Sequence, residues 1–191
     1  MAKEGKAYVL TDAEIDQFKA FLGTKRHPDR NLAIYLLTRR AGLRIGEVSQ
    51  LKLSDVIDAK GQLKNIATLR SKITKGNKTR TAYLNHPELK SALSKYLSAR
   101  PKYKTDSLFV SQKGVPFTPK SMSKIINQLY LEAGFDGASS HSGRRGAASS
   151  MLATGLDIVA LSRFLGHSDI TTTQEYIEVD QDRLMNAVEA A

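Results

Sequence analysis

The stretch SSHSGRRGAASSMLATGLDIVALSRFLGHSDITTTQEYI, Ser139 to Ile177, decides how the rest of the sequence is interpreted. Helix caps and glycines divide it into three short predicted helices, with boundaries at Gly155, Asp157, Gly166 and Ser168 or Asp169. The stretch carries two histidines and three arginines, and it ends near Tyr176. Phosphoryl transfer depends mainly on positioning a nucleophile and neutralising charge on phosphorus oxygens, so these residue types suit that reaction.

Composition points to a basic globular protein with a polyanionic partner. The 191 residues include 29 Lys and Arg against 19 Asp and Glu, which gives a net charge of +10. A merely soluble basic protein would show the same excess, so charge alone leaves both interpretations open. The absence of cysteine excludes disulfides and thiolate metal sites and fits a reducing cytoplasm. No segment approaches the run of about twenty apolar residues that a membrane span requires, so we expect no membrane role.

Local signals predict a mainly α-helical α+β domain. Thr11 and Glu14 form a capping box before a helix that closes at Gly23, and Pro28 opens a mostly buried helix ending near Ala41–Gly42. Further helices are predicted after Pro87 and Thr118, and a short one after the Gly42 turn. Three runs of β-branched and apolar residues between Asp55 and Leu84 predict a small antiparallel sheet with two tight turns.

Each candidate functional residue also has a plain structural interpretation. Arg44, at the mouth of the Gly42 turn, could bind a phosphate or simply pair with Glu47 at helical spacing. Lys75 lies on a predicted hairpin tip, where a lysine is usually only solvated. His141 and Arg144 would share one helix face if the helix began there. The remaining candidates, His167 and Tyr176, could equally be a residue that caps a helix end and a core aromatic.

Together these positions resemble the conserved boxes of the tyrosine recombinase (phage integrase) family, in order: Arg44 in AGLRIGEVSQL, Lys75 in KGNK, His141 and Arg144 in HSGRR, His167 in LGHSD, and Tyr176 in TTTQEY. The resemblance extends from about Leu10 to Val179. The family usually has a bulky apolar residue before the second arginine and often histidine after it, whereas this sequence has Gly143 and Arg145 there.

The resemblance implies a site-specific recombinase or integrase, of the kind that mobile elements carry, acting on double-stranded DNA through a covalent 3′-phosphotyrosyl intermediate. It implies catalytic roles for Arg44, Lys75, His141, Arg144, His167 and Tyr176, with Glu47 supporting a neighbouring cation or histidine. Cationic residues expected near the DNA backbone are Lys72, Lys78, Arg80, Lys120, Lys124 and Arg145, the last either a phosphate contact or cover for a helix face. No cofactor and no metal ion are expected, because the carboxylates are scattered.

The resemblance also predicts a domain arrangement. We expect a flexible segment over residues 1–9, a catalytic domain over residues 10–191, and no N-terminal arm that closes around DNA. The tail over residues 181–191 is expected to dock on a neighbouring protomer or to pack on its own subunit, and a homotetramer on DNA in the cytoplasm is expected. Two other functions remain open: a type IB topoisomerase-like relaxase, and a DNA-binding regulator with a vestigial pocket.

Overall fold

The computed structural model describes residues 7–74 and 78–176, which form a mainly helical domain with a small sheet. The longer helices are α1 (Asp12–Gly23), α2 (Pro28–Arg39), α5 (Pro87–Ala99), α6 (Pro119–Glu132), α7 (Ser142–Ala153) and α8 (Ile158–Leu165). Short helices are α3 (Ile45–Ser49), α4 (Leu53–Val56) and α9 (Thr171–Gln174). Strands β1 (Ile66–Leu69) and β2 (Arg80–Tyr83) pair antiparallel. The predicted α+β, mainly α-helical class is confirmed.

Helix α2 is the centre of the domain, because it packs against α1, α3, α5 and α7. Its residues from Ala33 to Leu37 are at most 2% exposed, so the predicted buried helix is confirmed. An aromatic cluster fixes α1 and α6 around it: the Phe18 ring stacks on Tyr130 with centroids 4.4 Å apart and meets Tyr35 edge-on at 5.1 Å. The predicted capping box between Thr11 and Glu14 opens α1.

The sheet differs from its prediction. Of the three runs expected to form strands, the second and third become β1 and β2, whereas the first forms only an isolated bridge between Ile57 and Leu63. Asp58 explains the difference, because its carboxylate accepts hydrogen bonds from the backbone N–H groups of Lys60 at 2.8 Å and Gln62 at 2.9 Å and so stabilises a turn within the run. The connection between β1 and β2 contains a 3₁₀ turn over Ser71–Ile73, so it is longer than a tight turn.

The end of the predicted flexible segment 1–9 is held in place. The Tyr8 backbone N–H donates to the Gly137 carbonyl at 3.0 Å, and the Tyr8 hydroxyl donates to Glu14 at 2.8 Å. Residues 7–9 therefore pack on the domain, contrary to that part of the prediction. The tail over residues 181–191 lies outside the described residues.

Helices α7, α8 and α9 follow the predicted boundaries closely. Gly166 ends α8 in the left-handed conformation (φ 65°), and the Asp157 carboxylate caps that helix by accepting from two backbone N–H groups. A small second core of buried Ala148, Leu161, Phe164 and Leu165 holds α7 and α8 together, and α9 packs on α8. Within residues 7–74 and 78–176, no helix has both the length and the apolar character needed to cross a membrane.

Candidate active site

Arg144 is the buried centre of the candidate site, with 4% of the residue exposed. From α7 its guanidinium donates to the Gly42 carbonyl beyond α2 and to the Leu165 carbonyl at the end of α8, the latter at 2.7 Å. Its Nη2 also lies 3.0 Å from Nε2 of His167. Because a guanidinium can only donate, Nε2 of His167 must accept this hydrogen bond. Arg144 thus joins three separate segments of the chain.

The buried carboxylate of Glu47 holds two further arginines close to Arg144. Glu47, 1% exposed, accepts from Arg80 Nη2 at 2.6 Å and from Arg80 Nε at 3.1 Å. It also accepts from the Arg44 backbone N–H at 2.7 Å, and Arg44 Nη1 lies 3.3 Å from Oε1. Arg44 caps α3 and keeps 24% of its side chain exposed, whereas the Arg80 side chain is 7% exposed. Of the two, Arg44 is therefore the one available to an incoming phosphate.

The charges of this cluster act on one another. Burial first, and then the positive charges of Arg44 and Arg80, lower the pKa of Arg144 to about 9, which leaves it protonated at neutral pH. Burial would raise the pKa of Glu47, but the hydrogen bonds and charge of Arg80 and the Arg44 backbone N–H lower it below its ordinary value. Three guanidiniums around one carboxylate leave an excess of positive charge, which suits a phosphate.

His167 and Tyr176 complete the inner part of the site. His167 Nδ1 lies 2.8 Å from the Thr173 hydroxyl, and its other ring nitrogen accepts from Arg144. In the neutral ring the proton therefore resides on Nδ1, which donates to Thr173. The His167 and Tyr176 rings stack with centroids 6.2 Å apart, and the tyrosine packs partly against the second core. Tyr176 also lies near enough to Arg144 to act on it electrostatically, in the direction that raises the Arg144 pKa.

A cleft of about 450 Å³ opens on the other side of the tyrosine, lined by Ala7, His141, Arg145, Glu175 and Tyr176 among others. The guanidinium carbon of Arg145 lies 5.9 Å from the centroid of the tyrosine ring, and Arg145 Nη1 donates to the Ala7 carbonyl at 2.9 Å. His141 precedes the first residue of α7 and is exposed, while Arg144 points into the core. The helix begins one residue after His141, so the condition under which His141 and Arg144 were expected to share one face is not met.

The remaining predicted residues lie at the surface or outside the described residues. Lys72, Lys78, Lys120 and Lys124 are exposed. Lys75 lies outside the described residues; the residues flanking that segment are joined by a hydrogen bond from the Thr74 hydroxyl to the Lys78 carbonyl at 2.6 Å. Among the described residues, no three His, Cys, Asp or Glu side chains are grouped in a way that would hold a metal ion.

Arg80 does not lie where the sequence predicted it. It was expected on an open hairpin surface near the DNA backbone, but it begins β2 and turns its side chain inward to Glu47. The alternation of side chains along the strand could have indicated this inward orientation. Arg80 shares a face with Ala82 and Leu84, which are each 1% exposed. Thr173 was missed as well, and nothing in the sequence distinguishes it from the two threonines before it.

The structure brings together two buried or half-buried arginines, a histidine and a tyrosine, located on α7 and beside α3, α8 and α9. This is the arrangement that the resemblance to the phage integrase family implies, and a family comparison agrees. The model of the phage integrase family matches residues 8–183. The chain belongs to the phage integrase family.

Relatives and solved structures are consistent with this membership. Tyrosine recombinase XerC of Methylobacterium sp. (strain 4-46) is 37% identical over 165 residues, covering 85% of this chain and 49% of that protein. The crystal structure of XerA recombinase aligns with a TM-score of 0.79 and 28% identity, covering 98% of this chain and 66% of that one. XerH bound to difH substrate aligns at 0.73 with 25% identity, covering 98% of this chain and 55% of that chain. The chain thus spans about half the length of the XerC relative.

Proposed function

We propose that this protein is a site-specific tyrosine recombinase that cuts and rejoins double-stranded DNA, with Tyr176 as the nucleophile. One observation carries the proposal: a buried arginine, Arg144, contacts His167 directly and the Gly42 carbonyl two residues before Arg44. His167 in turn stacks on Tyr176. A phosphate placed among these groups would meet fixed positive charge and a hydroxyl nucleophile together.

The proposed cleavage step is an exchange of phosphodiester bonds. The Tyr176 oxygen attacks the scissile phosphorus and forms a 3′-phosphotyrosyl bond, while the bond from phosphorus to the 5′ oxygen breaks. The phenol gives up its proton, with His141 as the candidate acceptor because both ring nitrogens of His167 already have partners, and Lys75 gives a proton to the leaving 5′ oxygen. A second 5′ hydroxyl then reverses these steps on a new strand, so the energy of the bond is kept.

Electrostatics explains why the arginines are needed. A phenol with a pKa near 10 is ionised to only about one part in a thousand at pH 7, a handicap of roughly 4 kcal/mol. Positive charge close to Tyr176 reduces that cost. Arg44 and Arg144 would bind the non-bridging oxygens, and their planar forks suit bidentate contacts that neutralise charge developing in the transition state.

Relatives support the choice of partner. The solved XerH structures are described as bound to difH substrate before and after cleavage, and the Tn1549 transposon integrase as in complex with DNA. We extend this to double-stranded DNA as the partner of the present chain, with a homotetramer on DNA, docking of the tail over residues 181–191 on a neighbouring protomer, and action in the cytoplasm. The exposed Lys72, Lys78, Lys120 and Lys124 are proposed backbone contacts.

A suicide substrate tests the proposal. Adducts mapped on total cellular DNA first identify the target, and a duplex nicked close to the cleavage position then traps the covalent intermediate because the leaving strand diffuses away. Tyr176→Phe should abolish the adduct and leave DNA binding intact. The matched control is Tyr83→Phe, since Tyr83 is 46% exposed on β2 and lies outside the proposed machinery. An adduct that persists in Tyr176→Phe would refute the assignment, and relaxation of plasmids without the target would indicate a topoisomerase-type reaction instead.

A further inference from the structure

A second cationic cavity lies at the opposite end of α2 from the candidate active site. Its volume is about 260 Å³, and its walls include Arg26, Arg30 and Arg100 together with His27, Tyr96 and Tyr103. Helix α2 has 12 residues, so its two ends are about 16 Å apart at 1.5 Å per residue. The cavity is therefore distinct from the pocket around Arg144.

The three arginines at this cavity have no acidic partner in the part of the chain that the structure describes. Arg26 Nη1 contacts only the Gln112 amide oxygen, at 3.3 Å, and Arg30 donates to the Asn31 side chain and, at 3.4 Å, to the Val110 carbonyl. The hydrogen bonds of Arg100 go to backbone carbonyls. These contacts are all to neutral groups, so the guanidinium charges are not cancelled.

One carboxylate does line the cavity, but it is already neutralised. Asp29 lies in the wall, and one of its oxygens is 3.1 Å from the Lys95 ammonium. The remaining charge of the cavity is that of the three guanidiniums, which is a strong preference for an anion.

One buried polar atom in the wall of this cavity has no hydrogen-bond partner. The Nε2 atom of His27 is buried and makes no hydrogen bond, and burial with the charges of Arg30 and Arg26 lowers the pKa of this histidine. His27 precedes the first residue of α2, and no side chain caps that helix. An anion with several oxygens would supply acceptors for the ring nitrogen, the arginines and the open helix end at once.

A second cavity adjoins the first and extends from it to the start of α6. A neighbouring cavity of about 460 Å³ shares His27 and Arg30 with it and is lined at its other side by Thr118 and Ser121, at the start of α6. Pro119, the first residue of α6, packs closely on α3. A Cβ atom added at Gly46 of α3 would lie 3.6 Å from the Pro119 Cβ atom. Gly46 is two residues from Arg44, and α6 carries the exposed lysines at positions 120 and 124. Helix α6 therefore lies next to both the second cavity and α3, and it carries exposed basic side chains.

We propose that this cavity binds a backbone phosphate of the DNA, displaced from the phosphate that Tyr176 attacks. Phosphates of one strand are spaced about 3.4 Å along the duplex axis, so a separation of about 16 Å corresponds to roughly five of them. The inference rests on DNA as the partner under the proposed function. Within it, Arg30 and Arg26 are the groups that contact the phosphate, and His27 adds a neutral donor.

Two variants with one control test this contact. Arg30→Gln and Arg26→Gln should each weaken binding to a duplex of arbitrary sequence about tenfold at a fixed low salt concentration. Each should also reduce the slope of log affinity against log salt by about 0.9, the value for one released phosphate contact. Lys60→Gln removes the same charge from the exposed turn at Gly61 and should leave slope and affinity close to those of the parent. Arg26 is exposed and bonded only to Gln112, so its variant remains informative if Arg30→Gln is unstable.

In a second experiment, inorganic phosphate alone is added to the protein. Phosphate should shift the NMR signals of the His27 ring and of the backbone amides at Asp29 and Arg30 in the parent and leave them unmoved in Arg30→Gln. A phosphate response combined with unchanged DNA affinity in both variants would assign the site to a small phosphate and overturn the DNA contact. Unchanged affinity together with no phosphate response would overturn the site itself.

The two proposals fail separately. Binding and its salt dependence are measured without strand cleavage, so a parent that forms no tyrosyl adduct would refute the recombinase chemistry and leave the phosphate contact standing. Conversely, variants at Arg26 and Arg30 that bind DNA like the parent would refute the contact while adduct formation at Tyr176 continued.

Discussion

Arg80 donates two hydrogen bonds to the buried carboxylate of Glu47, from Nη2 at 2.6 Å and from Nε at 3.1 Å. The same carboxylate accepts from the Arg44 backbone N–H, and its negative charge raises the pKa of Arg144. Glu47 therefore holds together guanidiniums that would otherwise repel one another. This places the stability of the domain and the geometry of its candidate site under the control of one acidic residue.

Glu47→Gln should destabilise the domain by about 3 kcal/mol, because breaking a buried ion pair leaves an uncompensated charge. The folded-state pKa of Glu47 lies below its ordinary value of 4.5, so its stabilising effect is full above that pH and is lost as pH falls below it. Urea unfolding at neutral pH and again below the ordinary pKa measures both effects, and the variant should lose part of the acid sensitivity.

Glu132→Gln is the matched control for that experiment. Glu132 pairs with Lys25 at 2.8 Å, but its side chain is 40% exposed, so its loss should cost far less stability than the loss of Glu47. A Glu47→Gln variant as stable as this control, with unchanged acid sensitivity, would show that the buried carboxylate does not carry the cluster.

Thr173→Val should slow adduct formation about fivefold, since it removes the hydroxyl that Nδ1 of His167 contacts at 2.8 Å and with it about 1 kcal/mol of orienting hydrogen bond. Thr173→Ser keeps the hydroxyl and should keep the rate. Single-turnover adduct formation on saturating nicked duplex is the measurement, with nitrogen NMR of the His167 ring reporting the tautomer. Equal rates for the valine and serine variants would remove Thr173 from the site.

Arg145→Met should reduce the adduct rate about threefold to thirtyfold at neutral pH, because the cation 5.9 Å from the Tyr176 ring centroid stabilises a phenolate more than a phenol. Raising the pH should recover part of the loss, and Arg145→Lys should retain most of the rate. Rate at saturating DNA and affinity are measured separately. A fall in affinity with an unchanged saturated rate would make Arg145 a phosphate contact only.

The helices were predictable because their boundaries are local. The Thr11 and Glu14 capping box, Pro28 at the first turn of α2 and Gly166 at the end of α8 act within a few residues of the positions they define. The sheet was only partly predictable, because the run that includes Ile57 and Leu63 has strand-like composition but folds into a turn held by the Asp58 carboxylate. Hydrogen bonds from a side chain to nearby backbone groups can override the strand propensity of a short segment.

The candidate site shows the same division. Order and spacing predicted the residues that meet, since Arg44, Arg144, His167 and Tyr176 come from separate boxes of one family pattern. Arg80 and Thr173 join them only through the way β2 and α9 pack, and that packing is a long-range property. Residue type alone therefore assigned Arg80 to the surface and gave Thr173 no role.

Gly143 offers a last prediction, at the position where the family usually has a bulky apolar residue. A methyl group there would overlap the Thr38 hydroxyl and lie 3.1 Å from the Thr38 Cβ atom, on the face where α7 packs against α2. Gly143→Ala should therefore cost about 2 kcal/mol of unfolding free energy.

Thermal or urea unfolding measures this cost, and two further variants serve as comparisons. Gly23→Ala, at the end of α1 with nothing within 4 Å of the added methyl, should be neutral or slightly stabilising. Adding Thr38→Ala to Gly143→Ala should recover about 1 kcal/mol relative to the sum of the single changes, because the clash disappears with the hydroxyl. If the costs of the two single changes simply add, the Thr38 hydroxyl is not the group that requires glycine at position 143. The close approach of α7 to α2 would then need another explanation.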